Sequence, residues 1–387
     1  MPSGSSTRSG RGSGSGSGSA EQPSPSPAPG ASTATTTTQR PAAVDPFLAG
    51  CVFPAAPGVP YPRALPVDAG RLPADTWATA CIPVGVRLEL VGEAEAIEIE
   101  YDTATSDLGY RGDSAGTTFT SWRGQSVIDD VPAVLGRGRL TLRVAAAGGG
   151  PGGPGSDGSD SDGSDRTVVT LPEGMRPSIL AVGGVGGTVQ PAPPQPRWLC
   201  YGDSIAEGWA ATNPGRAWPA LAGRRYGLDV VNLGYAGAAR GEMVSAEEIA
   251  GLPAAVISLS YGTNCWTRIQ HSAEQVGAGL DAFVDLVRTG HPDTPIVVAS
   301  PVIRPDAEDR QNGLGATLAD LRSVIEARIE RRRALDTRIH LVRGGSLLTA
   351  DQLADGVHPG DEGHRILAEA IGSAVRASLD SAANQRA

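Results

Sequence analysis

The chain has 387 residues, 40% hydrophobic and 19% charged, which is enough for two folded domains and some unstructured length. All 32 of its cationic side chains are arginine, and the absence of lysine excludes Schiff-base catalysis, an internal pyridoxal-phosphate lysine and a Walker-type phosphate lysine. A formal charge of −10 argues against a nucleic-acid binder, because phosphate neutralisation needs a basic face.

In chain order, residues 1–44 are rich in Gly, Ser, Thr, Pro and Ala and read as a disordered tail without the apolar run of a secretory signal. No later stretch approaches the length of a membrane span, so the expectation is a cytoplasmic protein with no membrane partner. Residues 45–190 carry short β-rich runs broken by Gly and Pro. Residues 87–91 and 96–101 read as strands around the turn Gly92-Glu93-Ala94, with 117–122, 139–144 and 167–171 as further strands of an all-β sandwich. Inside this region, 145–165 is built of Gly, Pro, Ser and Asp and reads as a disordered loop. The segment PAPPQP at 191–196 reads as a stiff linker.

From residue 197 to 380 the rhythm becomes strand, helix, strand, helix. The apolar runs at 198–201, 230–233, 255–260, 296–299 and 339–342 are short and continuous, as in strands buried on both faces of a parallel sheet. Between and after them, helical spacing links Val276, Leu280, Phe283, Val284 and Val287, then Leu318, Leu321, Ile325 and Ile329, then Leu367, Ala370, Ile371 and Ala374. The arginines at 331–333 fall in the second of these patterns and read as a solvated helix face. The predicted fold class is α/β, a three-layer α/β/α sandwich on a five-stranded parallel sheet of flavodoxin-like type, preceded by the all-β sandwich. Residues 381–387 form a short tail. In such a sheet the ligand site lies outside the carboxyl ends of the strands.

The sequence concentrates chemistry at those ends. After the first strand comes Tyr201-Gly202-Asp203-Ser204, which places a serine where a strand turns into a helix, with its hydroxyl exposed and its N–H at a helix start. Ser204 is either a nucleophile or only an N-cap. Before the final helix comes Asp355-Gly356-Val357-His358-Pro359, a carboxylate and an imidazole three residues apart, as an acyl-transfer triad needs. Of the other histidines, His271 and His291 border helices, His340 opens a strand and His364 starts the last helix. The second strand ends at Gly234, which offers a backbone N–H, and the third leads to Asn264, which offers a side-chain amide.

These four blocks resemble those of the SGNH hydrolase, or GDSL-type esterase, superfamily. Gly202-Asp203-Ser204 matches its first block, Gly234 its second, Gly262-Thr263-Asn264 its third and Asp355 to Pro359 its last, over about residues 197–379. The resemblance implies Ser204 as nucleophile, His358 as general base and acid, and Asp355 as its orienting carboxylate. It implies the Ser204 N–H, the Gly234 N–H and the Asn264 side chain as oxyanion hole. Cys265 stands where many members have Asp. The β-rich region resembles the jelly-roll-like domain that precedes the catalytic domain in some members acting on sugar esters or natural-product acyl groups.

Trp209, Tyr235 and Trp266 follow these blocks closely and are expected to line a partly aromatic substrate pocket, with core packing as the alternative for each. Arg216 reads as a surface arginine. The four cysteines, Cys51, Cys81, Cys200 and Cys265, form no C-x-x-C pair and read as free thiols, and no metal and no organic cofactor is expected. The expected activity is a serine esterase hydrolysing carboxylic esters of small-molecule substrates, small or sugar-like or natural-product in kind, through an acyl-enzyme. The alternatives are an acyltransferase using the same acyl-enzyme and a binding protein with a vestigial triad.

Overall fold

A computed structural model of the protein describes residues 43–106, 108, 116–145 and 166–384. The expected tail at 1–44 lies outside the described residues except for its last two positions. The expected loop at 145–165 lies outside them except for Ala145, as do the final three residues of the chain.

The amino-terminal half contains β1 (Leu48–Ala49), α1 (Ala74–Ala80), β2 (Arg87–Gly92), β3 (Ala96–Thr103), β4 (Thr118–Arg123), β5 (Ser126–Pro132), β6 (Gly136–Arg143), β7 (Thr167–Thr170), β8 (Pro177–Val185) and β9 (Val189–Pro191). One antiparallel sheet has the order β1-β2-β7-β4-β5, with β9 also on β2, and the other has the order β6-β3-β8. Alternation along the strands turns Leu88, Leu90, Phe119 and Val169 of the first sheet toward Ile97, Ile99, Tyr101, Leu142 and Val182 of the second, and these side chains form one buried core. Four of these strands, β1, β5, β8 and β9, lie outside the runs read from the sequence, and for the two longer ones the physical reason is plain. β8 carries Pro177, Gly183 and Gly184, which read as breakers, and β5 is an exposed edge strand with Asp129 and Asp130 where alternation would demand apolar residues.

The second half contains β10 (Arg197–Gly202), α2 (Ser204–Glu207), α3 (Trp218–Tyr226), β11 (Asp229–Gly234), α4 (Met243–Gly251), β12 (Val256–Ser260), α5 (Thr263–Thr267), α6 (Ala273–Gly290), β13 (Ile296–Ala299), α7 (Leu318–Arg333), β14 (Ile339–Val342) and α8 (Asp361–Asn384). All five strands are parallel in the order β11-β10-β12-β13-β14, so the order reverses beside β10. Within β10, Leu199 and Tyr201 face α4, α6 and α7, while Trp198 and Cys200 face α3 and α8. Burial on both faces explains the unbroken apolar runs, and each large side chain so buried contributes roughly 1.5–3 kcal/mol. No helix among the described residues is long and apolar enough to cross a membrane.

The expected boundaries change in three places, the last being that α8 runs on to Asn384 and buries Ala382, so the expected tail at 381–387 begins as helix. Phe53, Ala64, Leu72 and Ala80 do not join the β sandwich but pack in the core on the α4, α6 and α7 side of the parallel sheet. The expected linker is held along β2, with Ala192 N–H donating to Glu89 O at 3.1 Å, and Pro196 O already accepts from Asp229 N–H at 3.0 Å. The sandwich also docks directly on the second half. Trp122 of β4 fills the space over Gly215, where a side chain would collide with its ring, and the Arg224 guanidinium stacks on that indole at 4.3 Å.

Candidate active site

The turn after β10 is built by local chemistry. Asp203 caps α2, its Oδ1 accepting the Ile205 N–H at 3.0 Å, and Gly208 ends this single turn in the left-handed region at φ 95°. Burial pushes the Asp203 carboxyl up to about 6, against the lowering effect of the Ile205 N–H. Ser204 is the first residue of that turn, at the carboxyl edge of the sheet where the strand order reverses.

The Asp355–His358 loop comes not directly from β14 but after two short 3-10 turns, just ahead of α8. A backbone bond from Ala354 N–H to His358 O at 2.8 Å closes it. Asp355 Oδ1 accepts the N–H groups of Val357 and His358 at 2.9 and 2.7 Å, and its Oδ2 lies 2.7 Å from His358 Nδ1. His358 Nε2 lies 2.9 Å from Ser204 Oγ. Burial alone would raise the Asp355 carboxyl, but the hydrogen bonds from the His358 ring and from the two backbone N–H groups hold it below its usual range. The three residues therefore form one hydrogen-bonded chain, although Asp355 itself is half exposed.

The remaining histidines lie elsewhere. His271 bonds Ile269 O, His291 ends α6 and bonds Ile249 O, and His340 lies in β14. His364 is fully buried, accepting from Trp218 N–H at 3.3 Å and bonding Trp209 O at 3.0 Å.

Asn264 is the second residue of α5 and is buried, its Nδ2 donating to Ala238 O in the loop after β11. Gly234 does not present the expected free donor. Its N–H is given to Asn232 Oδ1 at 2.8 Å, and a side chain there would collide with Glu207 N and Asn232 Oδ1, so glycine is needed for close approach. Farther along, the N–H groups of Tyr235, Ala236, Ala238 and Arg240 are given to Gly202 O, Glu207 Oε2, Tyr235 O and Glu242 Oε2. Among the described residues, Gly237 and Ala239 are left in this loop without a backbone N–H acceptor, and of these only Gly237 reaches solvent. The sequence signal for it was present, since Gly237 stands five residues after Asn232 in the same block.

Only one of the three aromatic candidates lines the site. Trp209 lies against His358. Tyr235 is 1% exposed and donates its hydroxyl to Arg63 O at 2.6 Å, while Trp266 is 4% exposed, donates to Arg310 O at 2.8 Å and has the Arg304 and Arg310 guanidinium groups 5.2 and 4.9 Å from its ring centre. Both belong to the core, because the turns that follow their blocks point inward. Arg216 is partly exposed and pairs with Asp361 at 3.6 Å. Cys265 is buried, and burial pushes its thiol up to about 12. Among the described residues no group of three His, Cys, Asp or Glu side chains is arranged to hold a metal ion.

Residues 200–366 match the family model of the GDSL-like lipase/acylhydrolase family. The chain is similar to the solved structure of a salicylyl-acyltransferase from a tetracycline biosynthetic pathway, with 25% identity, 90% of this chain and 96% of that one covered, and a TM-score of 0.66. It is also similar to a protein from Bacteroides ovatus described as GDSL-like lipase, with 18% identity, coverage of 89% and 98%, and a TM-score of 0.68. A family two carbohydrate esterase from Clostridium thermocellum, solved with cellohexaose, shares the fold at 12% identity, with coverage of 76% and 92% and a TM-score of 0.52. No curated protein matches the chain significantly.

Proposed function

Because residues 200–366 form a domain of the GDSL-like lipase/acylhydrolase family, we propose that the protein cleaves a carboxylic ester through an acyl-enzyme on Ser204. The observation that carries this reading is the continuous chain from Ser204 Oγ to His358 Nε2 at 2.9 Å and from His358 Nδ1 to Asp355 Oδ2 at 2.7 Å. The Nδ1–H donated to Asp355 leaves Nε2 free to accept the serine proton as Oγ attacks the ester carbonyl, and the carboxylate steadies the imidazolium that forms. Collapse of the tetrahedral intermediate breaks the bond to the alkoxide, which takes the proton from His358. Water then repeats the sequence on the acyl-enzyme, His358 accepting its proton and returning it to Ser204 Oγ.

The oxyanion requires N–H donors aimed at it. We assign this role to the Ser204 N–H, the Asn264 Nδ2–H not given to Ala238, and the Gly237 N–H in place of that of Gly234. Trp209 forms one wall beside the imidazole.

A second reading keeps the acyl-enzyme but passes the acyl group to an alcohol or amine. The likeness to the salicylyl-acyltransferase, which runs through nearly the whole of both chains, favours it. Incubating the protein with an activated ester, with and without a panel of alcohols and amines, and identifying products by mass spectrometry separates the two. Free acid alone supports the esterase, acylated acceptor supports the transferase, and no turnover of any ester counts against both.

A further inference from the structure

We propose that the ion pair between Arg63 and Glu207 is a positioning device for the acyl-transfer centre, half of it supplied by chain that precedes the acylhydrolase domain; this rests on the reading of Ser204 as nucleophile. The pair closes at 2.7 Å with side chains 1% and 0% exposed. Glu207 is the last residue of the turn that begins with Ser204. Its Oε2 accepts the Ala236 N–H at 2.9 Å and the Trp209 Nε1–H at 3.2 Å. Arg63 uses its fork in three directions. Nη1 donates to Gly234 O, Nε to Ile82 O at 2.6 Å, and Nη2 to Thr79 O at 2.7 Å as well as to Glu207. Its guanidinium lies 5.3 Å from the Tyr235 ring centre, and Tyr235 donates back to Arg63 O.

Taken together, these bonds fasten the loop from Gly234 to Ala236 from both sides and tether the indole that stacks on His358. For stability alone such a pair is a poor device, because burying two charges requires their desolvation and apolar side chains of equal volume often do as well. What the charges add is direction. A planar fork and a carboxylate fix several backbone groups at once, and the groups fixed here are those beside the reacting serine.

The test uses the full chain and the variants Arg63→Lys, Glu207→Gln and Trp209→Phe. Titration with a serine-directed organophosphonate counts folded, competent sites, so that kcat is expressed per titrated site. We expect Arg63→Lys and Glu207→Gln to lower kcat per site by about tenfold or more with little change in KM, because the geometry lost matters most in the transition state. Trp209→Phe keeps the stacked ring and loses only the tether, and its kcat per site should fall by about threefold. Should the buried variants fail to fold, Trp209→Phe decides. Wild-type kcat per site in Trp209→Phe, or in folded Arg63→Lys and Glu207→Gln despite fewer titratable sites or a lower Tm, would mean a purely structural pair and overturn the inference. Ser204→Ala is run alongside. If it stays active, the nucleophile assignment fails and this inference with it; if it is dead while the pair variants are normal, only this inference fails.

Discussion

The indole of Trp209 lies against the imidazole of His358, with ring centroids 5.5 Å apart and planes inclined by 33°. The backbone of Trp209 is bonded by His364 and its indole by Glu207, so the ring is held at both ends. A stacked pair of this kind contributes about 0.5–1.5 kcal/mol beyond area burial. Trp209→Ala is therefore expected to lower kcat/KM by roughly two- to tenfold on a small activated ester. An unchanged value in steady-state kinetics would show that the indole does not hold the imidazole.

Ser204→Ala should remove turnover of an activated short-chain ester while leaving the fold intact, since the side chain bonds His358 and little else. An organophosphonate should label wild-type protein at Ser204, as read by peptide mass mapping. Labelling confined to another serine would contradict the assignment.

Under the proposed oxyanion role, Asn264→Ala should lower kcat by about 10²-fold, roughly 3 kcal/mol, with a smaller effect on KM, because an oxyanion donor meets charge that develops only in the transition state. The variant also loses the bond to Ala238 O, so circular dichroism must show an intact fold. A raised KM at constant kcat would make Asn264 a substrate-binding residue.

Asp203 gives a pH dependence of stability whose sign follows from its shift. Its carboxyl stands at about 6 in the folded protein against an ordinary 3.8, raised chiefly by burial. The folded state thus holds the proton more tightly, and the stabilisation is fully present below about pH 4 and lost as pH rises through 6, on the order of 3 kcal/mol in all. Asp203→Asn, which can still cap the Ile205 N–H, should be more stable than wild type at pH 8 and lose that advantage at pH 4. Urea unfolding at both pH values measures this, and a constant difference between the two proteins would refute it.

A truncated chain beginning at Pro191 lacks Phe53, Ala64, Leu72 and Ala80 from the second-half core, as well as Arg63. It should lose cooperative unfolding and solubility. In the full chain, Trp122→Ala should cost about 3–5 kcal/mol, since the indole is fully buried between the halves. A soluble, cooperatively folded and fully active truncation would show the preceding chain to be a passenger.

The sequence by itself determined the elements whose cause is local. The five parallel strands were legible because burial on both faces leaves continuous apolar runs, and the Asp355–His358 pairing was legible because the Asp-x-x-His spacing is written within a single loop. The edge strand β5 and the Gly-rich β8 were not, since their pairing depends on partners rather than on alternation of their own. Tertiary structure alone decided which way each turn faces. Whether Gly234 or Gly237 has a free N–H depends on where Asn232 turns its side chain, and whether Tyr235 and Trp266 line a pocket or a core depends on what packs over them. Arg63 carried no signal at all: it lies 144 residues from Glu207, and only the folding of residues 53–82 onto the parallel sheet brings its guanidinium to that carboxylate. A contact between distant segments is set by the summed packing of every element between them, and no local pattern records it.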